Sequence, residues 1–214
     1  MQTFDQAVPF CANTPDGTRC YQAALKMVLQ HYKPDLDDSW SVLDRVTAKI
    51  DGGGTWPFAG MVWLHDNGFE LRNIELMDNE RFADEGQQYL AEFFGAHAAA
   101  VDARTDFASE QANARRFVAA ARCEVRIPSV EDIRKLLLDG YLAICNVNSR
   151  VLNGRDGYSG HFVVVKGYDE DGLILHDPGP PASENRRVML DDFERAWAFP
   201  DKKARNVIGI RTRV

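Results

Sequence analysis

The residues of this 214-residue chain best suited to nucleophilic chemistry are four cysteines and five histidines. A thiol attacks as the thiolate, so a working cysteine needs a base within reach and a third group to orient that base. Cys20 is the best placed of the four. After the loop from Pro9 to Gly17, Tyr21, Ala24, Leu25, Val28, Leu29 and Tyr32 recur at helical spacing, and Lys33-Pro34 stops the pattern. The spacing predicts a helix of about 13 residues with Thr18 as its N-cap and Cys20 in its first turn. There the positive end of the helix dipole favours the thiolate, and the Cys20 backbone N–H points outward, able to donate to an oxyanion. The competing reading of a helical cysteine is core filler, and a suitable histidine decides between the two.

His31 ends the same helix about 16 Å away. His65 and His97 stand in helix or loop contexts without an acid at useful spacing, and read as surface or half-buried side chains. His161 differs, because it opens the apolar run His161-Phe162-Val163-Val164-Val165 behind the loop Gly157-Tyr158-Ser159-Gly160, and Asp177 ends the following strand. Only one parity of that hairpin sets both side chains on one face. A three-residue loop, Asp169 to Asp171 with Gly172 left-handed in a bulge, puts Val163 opposite Asp177 and leaves His161 roughly 6.6 Å along the strand. A two- or four-residue loop instead turns Asp177 behind the sheet and brings His176 beside His161, a metal-like pair. The Asp-Gly ending favours the first register.

These side chains need elements to hold them. Pro57 to Asn67 reads as a short helix closed by Gly68, and Phe69 to Leu76 as a strand. Helical patterns follow over Glu80 to Phe94 and Ser109 to Arg122, and Ser129 caps a further helix that Gly140 stops. Tyr141 to Asn148, His161 to Tyr168, Leu173 to Asp177, Arg187 to Leu190 and Val207 to Arg213 read as strands. Helices lead and an antiparallel sheet follows, so the predicted class is α+β, one domain over 1–214: a nucleophile-helix region at 1–80, a helical lobe or insertion at 81–125, and the sheet with the histidine and aspartate at 126–214.

Composition narrows the function. Thirty-two acidic against 25 basic residues give a net charge of -7, the wrong sign for gripping nucleic-acid phosphates. No apolar run approaches the roughly 20 residues that span a bilayer, and MQTFDQAVPF lacks a signal-peptide pattern, so no membrane partner and a cytoplasmic location are expected. Cysteine spacing matches no zinc pattern, and no cofactor or metal is expected. Cys11 could pair with Cys20 under oxidation, though unpaired filler is the simpler reading.

PFCANTPDGTRCYQAALKMVLQHY, GHFVVVKGYD and LILHDPG together resemble the papain-like cysteine peptidases related to the bacteriocin-processing, double-glycine leader peptidases, in a stand-alone form. The resemblance covers roughly half the chain. It implies a papain-like fold, Cys20 as nucleophile, His161 as general base and acid, Asp177 as the group orienting the imidazole, and a peptide or protein substrate. The family supplies an oxyanion-hole glutamine shortly before the nucleophile; here the corresponding loop holds Asn13, one methylene shorter, which otherwise reads as a turn residue. Gly52-Gly53-Gly54-Thr55-Trp56 offers a groove wall or a loop with a core tryptophan. Trp56, Tyr158 and Gly160 are the candidate substrate-binding residues, with Asn146 and Asn148 as possible cleft lining.

Three readings follow: a cysteine hydrolase acting on a peptide or related amide through an acyl-enzyme, a non-catalytic peptide-binding module of the same fold, and a metal-binding protein using His161 and His176. Substrate identity and oligomeric state are not encoded in any motif.

Overall fold

The computed structural model describes residues 3–50, 55–95 and 105–213. Its frame is an eight-stranded sheet: β1 (Phe4–Asp5), β2 (Phe69–Glu75), β3 (Arg122–Val125), β4 (Leu142–Asn148), β5 (Gly160–Tyr168), β6 (Gly172–Asp177), β7 (Ser183–Met189) and β8 (Asn206–Thr212). The spatial order is β3-β2-β8-β4-β5-β6-β7, and β1 takes over from β4 beside the far end of β5, with Phe4 facing Tyr168. All pairs are antiparallel except β2 with β3.

Both faces of the sheet are covered, which is why the central strands read as nearly continuous apolar runs. On one face α1 (Cys20–Tyr32), α3 (Phe58–Asp66), α4 (Asn79–Glu85) and α6 (Phe107–Ala120) enclose a core that includes Leu25, Leu29, Phe58, Phe82, Phe117, Leu142, Val164 and Ile210. On the other, α7 (Val130–Leu138) and α9 (Leu190–Trp197) pack over Cys145, Val163, Val165 and Leu175. The α7 start is a full capping box between Ser129 and Asp132.

Several elements escape a reading by periodicity. The helical stretch near Glu80 breaks at Gly86 (φ +57°) into α4 and α5 (Gln87–Phe94), and α2 (Trp40–Val46) and α8 (Ser149–Leu152) have too few turns to display a stripe, whereas α9 buries Phe193, Ala196 and Trp197 at helical spacing and follows a strand without a break. The expected α+β class, helices packed against a mainly antiparallel sheet, is the one observed; within it β2, from the N-terminal part, pairs along its whole length with the last strand, and β3 adds a parallel edge. The helix N-cap is Arg19 rather than Thr18, whose hydroxyl donates to Asp16 instead. Residues 51–54, with the triple glycine, and His97 lie outside the described residues.

Candidate active site

The site is assembled at one end of α1. Cys20 opens that helix, and the loop before it is drawn tight by Asn13, whose Oδ1 accepts from the backbone N–H groups of Thr14 and Arg19, each at 2.8 Å. The Arg19 guanidinium grips Asp44 of α2 through Nε and Nη2, at 3.0 and 2.9 Å, which fixes the start of α1 from outside. Helix α1 lies on β5, with Tyr21 tilted against Phe162 at 4.8 Å between ring centres, so the residue after the cysteine touches the residue after His161.

His161 is buried and donates from Nε2 to Asp177 Oδ1 at 2.7 Å, while its ring interacts with the Cys20 thiol. Asp177, 2% exposed, is saturated: Oδ1 also accepts from the Gly179 N–H at 2.9 Å, and Oδ2 accepts from Arg186 Nη1 at 2.7 Å. Arg186 is itself held by the Leu152 carbonyl and the Asn153 side chain. The result is one hydrogen-bonded line, His161 to Asp177 to Arg186, with the Cys20 thiol at its head.

The register that makes this line possible is reached by a different device from the one expected. Tyr168 faces Leu173, so the loop of Asp169 to Gly172 holds an even number of residues, and Gly172 is not left-handed. A bulge at Lys166 shifts the frame, so that Val165 faces Leu175 and Val164 faces His176. His161 and Asp177 thereby share a face. His176 points to the other side, where Nε2 bonds the Val8 carbonyl and Nδ1 accepts from the Asn185 N–H. With both its ring nitrogens engaged away from His161, the metal-pair reading is corrected: no group of three or more potential ligands occurs among the described residues.

Electrostatics single out Cys20 among the thiols. Burial pushes its pKa up, but the His161 hydrogen bond and charge, with the backbone N–H groups of Phe162 and Tyr21, outweigh it and lower the value. Burial raises the thiols of Cys11, Cys123 and Cys145, Cys123 to about 12. Burial alone would lower the His161 pKa, yet Asp177 and Cys20 raise it to about 9, and the same imidazole with Gly179 and Arg186 holds Asp177 low against its burial. All four cysteines are free, and the Cys11 thiol donates to the Ala12 carbonyl.

A cleft of about 330 Å³ is lined by Trp56, Asn146, Val147, Asn148, Tyr158 and Phe162 among others; Cys20, His161 and Asp177 are not in its wall, and it reaches them through Phe162, which follows His161 and touches Tyr21. Trp56 stacks on Phe58 and Phe82 and donates from its indole to Thr105, so it is wall and core at once. Tyr158, 62% exposed, stacks on Phe199 across the mouth, and a Cβ on Gly160 would come within 2.9 Å of the Tyr158 hydroxyl. Asn13 lies at the loop junction rather than on the cleft wall: its Nδ2 donates to the Gly179 carbonyl at 2.9 Å, leaving one amide hydrogen uncommitted. Gln22 and Gln6, the other amides near Cys20 in sequence, donate to Thr47 and to the Tyr141 carbonyl. His31 bonds the Ala7 carbonyl, and His65 pairs with Arg213, both remote from Cys20.

Sequence reasoning missed Arg186, because the apolar alternation of β7 begins only at Arg187 and the strand reaches back to Ser183. A charged residue flanking that run was the available signal.

No curated protein matches the chain. Among solved structures, similarity extends over the whole chain to a double glycine motif protease from an AMS/PCAT transporter in complex with the leader peptide (TM-score 0.52, 14% identity, 100% of this chain and 99% of that one). A C39-like peptidase from Bacillus anthracis gives 0.53, with 17% identity, 100% and 99%. The peptidase domain of Streptococcus ComA, a bi-functional ABC transporter involved in a quorum sensing pathway, gives 0.51, with 15% identity, 96% and 98%. At these identities the likeness carries the fold, which is that of the papain-like peptidase domains. The model of the Peptidase_C39 like family matches residues 5–203, nearly the entire chain, and together with that fold it identifies this protein as a member of the Peptidase_C39 like family.

Proposed function

We propose that this chain is a cysteine peptidase or amidase in which Cys20 attacks an acyl carbon, His161 moves the proton and Asp177 orients the imidazole. The observation that carries the reading is His161, interacting with the Cys20 thiol at the α1 N-terminus and hydrogen-bonded to a buried, arginine-held carboxylate.

The chemistry follows from these groups. In the resting state the lowered thiol and raised imidazole favour a thiolate–imidazolium pair. The sulfur attacks the carbonyl, and the oxyanion takes the Cys20 backbone N–H and the remaining Asn13 amide hydrogen as donors. His161 then protonates the leaving amine, the acyl group stays on sulfur, and water activated by neutral His161 releases it. Trp56, Tyr158 and Gly160 border the substrate. A peptide substrate is supported by the family and by the neighbour solved with a leader peptide. The non-catalytic reading has no observation of its own in its favour.

The test is an activated ester: a stoichiometric burst with acyl mass located on Cys20, and none in Cys20→Ala, is the expected result. Absence of a burst from folded protein, or its persistence in Cys20→Ala, overturns the proposal.

A further inference from the structure

The cleft that Phe162 borders is also lined by a carboxylate that the chemistry at sulfur leaves unused, Glu75. Glu75 is the last residue of β2, and its Oε1 accepts from Asn73 Nδ2 at 2.7 Å and Asn79 Nδ2 at 2.8 Å. Those amides fix the carboxyl plane. Oε2 has no hydrogen-bond partner among the described residues, and Glu75 lines the cavity. Trp56, Phe58, Phe93 and Phe94 supply apolar and aromatic wall around it. Lys203 also borders the cavity.

A carboxylate held by neutral amides in such surroundings lacks a counter-charge among the described residues, and burial raises its pKa against the two hydrogen bonds that lower it. A neutral donor would satisfy Oε2 only in part. An ammonium or guanidinium makes the stronger, charge-assisted bond, and the methylene stem behind it matches aromatic walls that also attract the charge.

The sheet gives the position. Glu75 faces Asn206 on β8, the Asn206 side chain donates to the Asn146 carbonyl on β4, and Asn146 faces Phe162, the neighbour of His161. Three inter-strand steps at about 4.8 Å put Glu75 roughly 14 Å from Phe162. An extended peptide covers that in about four residues at roughly 3.3–3.6 Å each. Resting on the peptidase reading above, we propose that Glu75 is the base of a specificity pocket that takes a lysine or arginine side chain of the substrate about four residues from the scissile bond.

The test uses peptide libraries in which lysine, arginine, norleucine and glutamate are exchanged at each position, with the full chain titrated for active Cys20. Expected is at least a tenfold preference for lysine or arginine over norleucine at one position three to five residues from the cleaved bond, collapsing to under threefold in Glu75→Gln, an isosteric change that keeps an oxygen for the two asparagines. The same lysine and norleucine peptides, fluorescently labelled, are bound to Cys20→Ala with and without Glu75→Gln. Wild-type protein that cleaves lysine and norleucine peptides equally overturns the inference and leaves the peptidase reading standing, as does a preference retained in Glu75→Gln. Lysine-selective binding without any cleavage supports the pocket and removes the peptidase reading. No cleavage and no selective binding overturns both. The peptide exchange on unmodified protein keeps the test valid should Glu75→Gln melt early.

Discussion

At the scale of single residues the decisive feature is a charge balance around His161. Because the Cys20 pKa is lowered and that of His161 raised to about 9, the ion pair exists between the two values. It is lost as pH falls through the thiol value, when sulfur is protonated, and as pH rises through the imidazole value, when the proton for the leaving group is gone. We therefore expect a bell-shaped turnover profile with its basic limb near 9, and limiting iodoacetamide near neutral pH should label Cys20 well ahead of Cys11, Cys123 and Cys145, by peptide mapping. Arg186 tempers the same balance, since its guanidinium partly neutralises Asp177. In Arg186→Met the carboxylate acts undiluted on the imidazole, which moves the basic limb to higher pH, while the loosened Asp177 lowers the maximal rate. Arg186→Lys, which keeps the charge and loses the fork, should lower the rate and leave the limb nearer its original place. An unmoved limb in Arg186→Met contradicts this account. Asn13 joins loop and oxyanion in one side chain, so Asn13→Ala should cut the rate per titrated Cys20 about 10² to 10³ fold and also lower the melting temperature. A lower melting point with an unchanged rate would leave Asn13 only the loop contacts.

At the scale of elements, the β5–β6 hairpin decides which face each side chain occupies. The bulge at Lys166 shifts β5 by one residue against β6, and Lys166 itself is drawn off by Asp5 and Asn185. Gly172 admits β7 at close range, because a Cβ there would run into the Val188 carbonyl. Gly172→Ala should thus cost about 1–3 kcal/mol in urea melts as an overpacked contact. Cys20 lies beyond the opposite end of the hairpin, so its labelling rate in the folded fraction should hold. A loss of labelling without a loss of stability would show that the hairpin acts on the site by some other route.

Over the whole molecule, the sheet ties the two ends of the chain together. Seven residue pairs join β2 to β8, and α1 covers β5, so the strands carrying His161 and Asp177 have one face buried only by N-terminal elements. A fragment beginning at residue 126 would expose that face and the β8 edge. It should show no cooperative melting alone and regain it on mixing with the complementary N-terminal fragment; an independently melting fragment would argue for two domains rather than one. Among the described residues, no helix is long and apolar enough to cross a membrane.

What the sequence determined by itself was local. The Cys20 helix over Cys20–Tyr32, the Ser129 cap, and the strands of His161 and Asp177 follow from periodicity and punctuation, which depend on neighbours in the chain. The pairing of His161 with Asp177 was open between two parities, and the bulge that settled it has no mark of its own, since Lys166 reads as an ordinary strand residue. Arg186, β3 and the Glu75 end of the cleft were equally silent: each depends on strands brought side by side from distant parts of the chain. Only the tertiary structure decided those, because the energy that fixes them lies in sheet register and shared burial, and one residue of slip exchanges every side chain between the two faces.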